Sequence, residues 1–239
     1  MNRVLLNNID HAELRVAVRA GAPFGDSVNQ LPVFPAEFEE AQRDFPIVFR
    51  RDGDAIDAFV LLGLDRDENL FLGDQGWTSR FVPAVQRRGP FSIAVARDAA
   101  GAETGEPMIH VDLDDPRVGA DDGLPMFLPQ GGDAPYLQHV AAALRVIYQG
   151  MQDARAVNAE LAAAGLLREV VMQIDLGDDA GYDLPGLLAI DEAALAALPD
   201  ATLARLHRAG LLRVATMAAA SIANVPRLIE LKNRKRGAA

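Results

Sequence analysis

His110 and Asp112 stand two apart in the run "EPMIHVDLDD" (106–115). Residues i and i+2 of a strand share a face, so an imidazole and a carboxylate are offered to one ion. A His-x-Asp pair joined by a distant His is the ligand pattern of non-haem iron(II) oxygenases. The third ligand is the difficulty. His139 follows by only 27 residues, and both it and His207 lie in helical stretches. The competing reading places His110 and Asp112 on the solvent side of a hairpin. Metal ligation by this pair is kept as an alternative, and the leading reading holds no metal and no cofactor.

Other chemical signatures are weaker. The acid clusters "DRDEN" (65–69), "DLDDP" (112–116) and "GDDAGYD" (177–183) lack the alternating oxygen ligands, central Gly and closing Glu of a calcium loop. Turns collect Asp and Asn because these side chains cap local backbone groups, and that reading is preferred. Neither G-x-G-x-x-G after a strand nor G-x-x-x-x-G-K-[ST] occurs, and G-x-S-x-G is also missing. The enzyme question stays open, with the balance towards a non-catalytic protein.

"LGDQGWTSRFVPAVQRRGPF" (72–91) is the best candidate for a binding surface. It gathers Gln75, Trp77, Arg80, Arg87 and Arg88 within an acidic chain. Trp beside Arg suits anions, sugars, carboxylates and protein interfaces. The structural alternative has Trp77 closing the edge of a core while the arginines neutralise nearby acids. Thr78 or Ser79 is placed to cap a short helix, with Pro83 in its first turn.

The elements that must position these residues follow from periodicity. "FPAEFEEAQRDF" (34–45) reads as a short helix with Pro35 in its first turn. "FPIVFRRDGDAIDAFVLLGL" (45–64) is a hairpin turning at Asp52-Gly53, and "NLFL" (69–72) is a short strand. A second hairpin spans 89–98 and 106–115, with Phe91, Ile93 and Val95 on one face and Ile109, Val111 and Leu113 on the other strand. Residues 114–135 read as a long loop. Leu137, Val140, Leu144, Ile147 and Met151 recur at helical spacing across 136–165, with Gly150 a weak point and Gly165 the stop. Residues 168–191 return to strand character around a turn at 177–181, and three or four helices follow. Asp191 and Asp200 are good N-caps.

Strands first and helices later predict an α+β fold. An antiparallel, strand-rich N-terminal part (1–118) connects through a loop (119–135) to a mainly helical C-terminal part with one hairpin (136–239) packed on it, as one compact unit. There is no cysteine, hence no disulfide framework. The most apolar stretch, 211–225, contains Arg213, Thr216, Ser221 and Asn224 and is too short to cross a membrane. The first residues lack the apolar run of a signal peptide, and the chain reads as cytoplasmic.

Net charge is −11, which argues against general affinity for nucleic acid. From Asp200 onward, however, eight Lys/Arg face two acids, leaving −17 on the first 199 residues. Transcriptional regulation through the basic terminus Lys232–Ala239 is therefore a further alternative. A solvated terminus beyond a helix end explains the same charges more simply. A helix-turn-helix reading of 200–231 fails because its second helix is mostly Ala, Met, Val and Ile.

The order of segments resembles the bacterial SapC family, which is distinct from the peptide-transport permease sharing that label. The carriers are "EFEEAQRDFPIVF" (37–49), "NLFLGDQGW" (69–77) and "FVPAVQRRGPF" (81–91). "YDLPGLLAIDEAALAALPDATLARLHRAGLL" (182–212) and "SIANVPRLIELKNRK" (221–235) continue the likeness. Gly89 departs from it, since members more often have a Tyr or His there. The resemblance implies a gene that neighbours those of outer-membrane TonB-dependent receptors, flavin-dependent tryptophan-halogenase-like proteins and cupin-like oxygenase relatives, and it supplies no catalytic residue. The expectation is a non-catalytic accessory protein of nutrient uptake or peptide and protein modification. Its partner is a protein or a small anionic or sugar ligand, and self-association is left open.

Overall fold

The computed structural model describes residues 2–96, 98, 100, 104–177 and 180–237. Among these, strands are β1 (Arg3–Leu5), β2 (Arg15–Val16), β3 (Gln30–Pro32), β4 (Ile47–Asp52), β5 (Ala55–Leu61) and β6 (Leu72–Gly73). They continue with β7 (Gly76–Trp77), β8 (Phe91–Ala94), β9 (Met108–Asp112), β10 (Leu124–Pro125), β11 (Leu167–Gly177) and β12 (Ala180–Ile190). The α-helices are α1 (Phe38–Ala41), α2 (Ala84–Arg87), α3 (Pro135–Ala163), α4 (Glu192–Ala196), α5 (Asp200–Arg208), α6 (Leu211–Ser221) and α7 (Val225–Gly237). Antiparallel sheets and a helical C-terminal part make the fold α+β.

Contacts group the chain into two units interleaved in sequence. One comprises Met1–Ala20 and Ala84–Tyr148, the other Gly21–Pro83 and Gln149–Ala239. These lines differ from the sequential division at 118 and 136. The physical reason is α3, which gives its first half to one unit and its second half to the other.

In the first unit β1, β9 and β8 form an antiparallel sheet in that order. Phe91 pairs with Val111 and Ile93 with Ile109, so the expected alternation meets across the strands. Phe91, Val111, Val16 and Met126 are buried against Leu137, Val140 and Leu144 of α3. The stretch read as a loop is partly ordered by pairing: β10 joins β2, and Val118 bridges Val16. Strands of two or three residues are too short to show a period, which hid β1, β2 and β10 from pattern reading.

In the second unit an antiparallel sheet runs β11-β12-β4-β5-β3. The expected hairpin is β4–β5, turning after Asp52 at Gly53, whose φ of +57° suits glycine. The strand expected at 69–72 is mostly turn, and only Leu72–Gly73 pairs, with Gly76–Trp77. α6 packs against β12, β4 and α1 through Leu211, Ala215, Ala218 and Ala219. Asn158 of α3 donates its side-chain amide to the carbonyl of Ile56 at 2.8 Å. The long hairpin β11–β12 is as expected, and residues 178 and 179 of its expected turn lie outside the described residues. No single described helix is long and apolar enough to cross a membrane; α5 with the helical stretch 211–237 passes only as a pair bent by 96°.

Candidate functional site

Trp77 lies half-buried at the end of the β6–β7 hairpin, with Gln75 exposed at its turn. Its indole N–H donates to Asp26 Oδ1 at 2.8 Å. Asp26 is buried, its Oδ2 accepts the Gly21 N–H at 2.7 Å, and its carbonyl accepts the Asn69 side-chain amide at 2.9 Å. Asn69 Oδ1 in turn accepts the Phe71 N–H at 2.9 Å. The ring of Phe45 stands edge-on to Phe71 at 4.7 Å and to Trp77 at 6.5 Å, with Phe81 tilted against it at 6.5 Å. Aromatic rings prefer such edge contacts, and a buried carboxylate needs every donor it can collect. Much of the Asn69–Phe81 stretch is thereby occupied in holding its own corner together.

Arg80 belongs to the same corner through its backbone. The amides of Arg80 and Phe81 donate to Asp44 Oδ2 at 3.0 and 3.1 Å, while the Arg80 side chain is exposed. Asp44 is buried, and Arg227 of α7 donates to its Oδ1 at 2.9 Å. The Arg227 guanidinium sits 5.4 Å over the Phe71 ring.

Polar residues of the C-terminal segment continue this pattern. Ser221 Oγ accepts the Ile47 N–H at 2.8 Å. Asn224 donates to the carbonyls of Gln42 at 2.8 Å and Phe45 at 3.3 Å. Lys232 is buried and donates to Glu68 Oε1 at 2.8 Å and to Asp65 Oδ2 at 2.5 Å. Glu68 also accepts Lys235 at 3.0 Å and the Leu64 N–H at 3.2 Å, and Tyr182 donates to Asp65 Oδ1 at 2.8 Å. Hydrogen bonding from Lys232 and Tyr182 lowers the Asp65 pKa, while Glu68 is lowered by Lys232 and Lys235 against the opposing effect of burial. The terminus read as a solvated tail is helical to residue 237, and two of its lysines are held by acids of the "DRDEN" turn.

Arg87 and Arg88 belong to the first unit, whereas Gln75, Trp77 and Arg80 belong to the second. Arg87 ends α2, half-buried, and has partners of its own. Arg88 donates from Nη1 to the Phe91 carbonyl at 2.6 Å. Burial lowers its pKa first, and the positive charges of Arg3 and Arg117 lower it further. Arg117 is buried and chelates Asp115 through Nε at 2.9 Å and Nη2 at 2.7 Å. Tyr136 packs edge-on to Phe91, and its hydroxyl lies 3.5 Å from the place a Cβ on Gly89 would occupy. Two like charges therefore act on the Arg88 guanidinium, while the Asp115 carboxylate is engaged by Arg117.

His110 and Asp112 do share a face of β9. Their register partners are Leu5 and Ser92 for His110, and Arg3 for Asp112. None of these is a third metal ligand. Asp112 Oδ1 accepts the amides of Asn2 at 3.0 Å and Asp114 at 3.2 Å, a turn-capping role. No group of three or more His, Asp or Glu gathers among the described residues in a metal-binding arrangement.

Sequence reasoning missed Asp26, Asp44, Arg227 and the Lys232–Glu68 pair. Each partner lies far off in sequence, from 51 residues for Asp26–Trp77 to 183 for Asp44–Arg227. The legible signal is a charged residue at the border of an apolar run, as Asp44 before "FPIVF" and Lys232 after "LIEL".

A family model described as SapC matches residues 6–228. No curated protein and no solved structure matches the chain.

Proposed function

The chain belongs to the SapC family, and from that premise we propose a non-catalytic accessory protein that binds an anionic group of a partner or small ligand, in a system of nutrient uptake or peptide modification. The observation that carries this reading is Arg88, a half-buried guanidinium that donates to the Phe91 carbonyl at 2.6 Å and whose pKa is lowered by burial first and by the charges of Arg3 and Arg117 further. Arg117 is already paired with Asp115 and Arg3 is exposed, whereas the described bond of Arg88 goes to a neutral carbonyl, and guanidinium forks suit oxyanions. Trp77 and Arg80 belong to the other unit, so the proposed anion site is made by residues of the first unit alone.

The test is thermal unfolding in inorganic phosphate against sodium chloride at matched ionic strength. A ligand that binds only the folded state raises Tm with its concentration, whereas screening alone depends on ionic strength. Phosphate should stabilise the wild type beyond chloride, and Arg88→Met should erase that excess. Equal shifts in the two salts would remove the anion reading.

A further inference from the structure

The two edges of the second unit's sheet are built differently. β3 has three residues and ends on Pro32, which has no N–H to offer. Short strands and proline are how natural sheets close an edge. β11 spans eleven residues with no proline and no lysine, and among the described residues no strand pairs with its outer side. Next to its middle residue, Val171 is 58% exposed. An open cleft of about 810 Å³ lies alongside, lined by Val170, Met172, Ile190 and Ile222 with Arg168 among its walls.

We propose that β11 is a dimerisation edge, pairing antiparallel with β11 of a second copy about a two-fold axis at Val171. The choice of occupant rests on self-complementarity. An axis normal to the sheet at Val171 sets Val171 against itself, Val170 against Met172, and Glu169 against Gln173. Polar then meets polar and apolar meets apolar at five successive positions. The outer face, where Glu169, Val171 and Gln173 are exposed, gains a central Val–Val contact flanked on both sides by a Gln amide and a Glu carboxylate.

Neighbouring registers lack this match. Within two positions of the axis, an axis at Met172 opposes Val171 to Gln173, and an axis at Val170 opposes Glu169 to Val171 and Arg168 to Met172; beyond that span the Val171 axis sets Arg168 against Ile174. β11 is also regular where it must pair. The extra residue of the hairpin's central bulge sits on β12, since Val170 and Met172 face Leu187 and Leu184. Pairing would join two five-stranded sheets and bring the second copy's Met172 to the apolar cleft.

The chain has no cysteine, so a single Val171→Cys thiol reports on the axis directly. Residues directly opposed in an antiparallel pair have Cα atoms about 4.5 or 5.5 Å apart, within the span of a disulfide. Oxidised Val171→Cys should run as a covalent dimer, twice 25.6 kDa, on a non-reducing gel. Glu169→Cys and Gln173→Cys should cross-link when mixed and far less when alone. Leu203→Cys, 40% exposed on α5, should stay monomeric. Wild type should sediment as a dimer at high micromolar concentration, and Val171→Lys as a monomer with an unchanged circular dichroism spectrum. A monomeric wild type overturns the proposal and leaves the edge to a strand of another protein. A Val171→Lys variant that remains dimeric, or cysteines at 171 and 203 that cross-link equally, also overturns it.

Discussion

The indole N–H of Trp77 and the carboxylate of Asp26 meet at 2.8 Å, inside a corner where Asp26 is buried. The contact changes the meaning of the lone tryptophan. Its polar atom is committed to an internal acceptor, and the segment around it is held by Asn69, Asp44 and Phe45. A run of residues that looks arranged for a ligand is in large part arranged for its own loop.

Trp77→Phe should therefore lower stability without an external partner. It keeps a ring against Phe45 but removes a donor from a buried carboxylate, at a cost of about 1–3 kcal/mol. Asp26→Asn should cost a similar amount. Chemical denaturation of both singles and the double should show strong non-additivity, with a coupling above roughly 0.5 kcal/mol. Additive effects would mean that the 2.8 Å contact contributes nothing of its own.

Gly150 reverses an ordinary helix rule. Ala in place of an exposed helical Gly gains about 1 kcal/mol. Here a Cβ would lie 2.3 Å from Phe34 Cγ and 2.5 Å from its Cδ1, so the ring packs directly on the helix backbone. Gly150→Ala should destabilise by about 1–3 kcal/mol, as overpacking does. Pairing it with Phe34→Leu should recover part of the loss, measured by thermal unfolding.

The Lys232–Glu68–Asp65 network sets a pH dependence whose sign can be worked out. Asp65 and Glu68 titrate lower when folded, so their contribution is present above the unfolded carboxyl values near about 4 and is lost as pH falls through the folded ones. Lys232 titrates higher when folded, so its contribution is complete below the unfolded lysine value of about 10.4 and is lost only on the alkaline side. Lys232→Met leaves Glu68 buried without its main partner and should cost about 3–5 kcal/mol at neutral pH. That deficit should shrink towards pH 4, where the orphaned carboxyl protonates. Tm profiles of the two proteins would then converge in acid. Parallel profiles would show that Lys232 acts through packing alone.

Local pattern was readable wherever an element is long and one-sided. The β4–β5 hairpin, the Phe91–Val111 pairing and α3 all follow from spacing within a few residues. Contacts between segments carry no such local mark. Ser221 meets Ile47 across 174 positions, and Arg227 meets Asp44 across 183. Three of the motifs that carry the family resemblance, 37–49, 69–77 and 221–235, touch one another through the Ser221–Ile47 and Asn224–Gln42 bonds and the Phe45–Phe71 ring contact. Much of that resemblance is therefore the imprint of the fold. Arg87 and Arg88 stood beside Trp77 in sequence yet belong to the other unit, because the boundary falls between Pro83 and Ala84.

Arg88 should behave in the opposite way to Trp77. Its guanidinium is half-buried, burial and the charges of Arg3 and Arg117 lower its pKa, and the Phe91 carbonyl accepts from it at 2.6 Å. Arg88→Met removes that hydrogen bond but also the repulsion, so Tm in low salt should hold or rise. Arg117→Met instead strands the partly buried Asp115 carboxylate, whose pKa Arg117 lowers, and Tm should fall. Raising sodium chloride should stabilise the wild type more than Arg88→Met, because only the wild type has the full cluster to screen. A residue whose removal leaves stability intact while abolishing a phosphate-specific shift is one retained for binding. If Arg88→Met instead unfolds as readily as Trp77→Phe, the arginine is part of the scaffold, and the anion surface must be sought elsewhere on the chain.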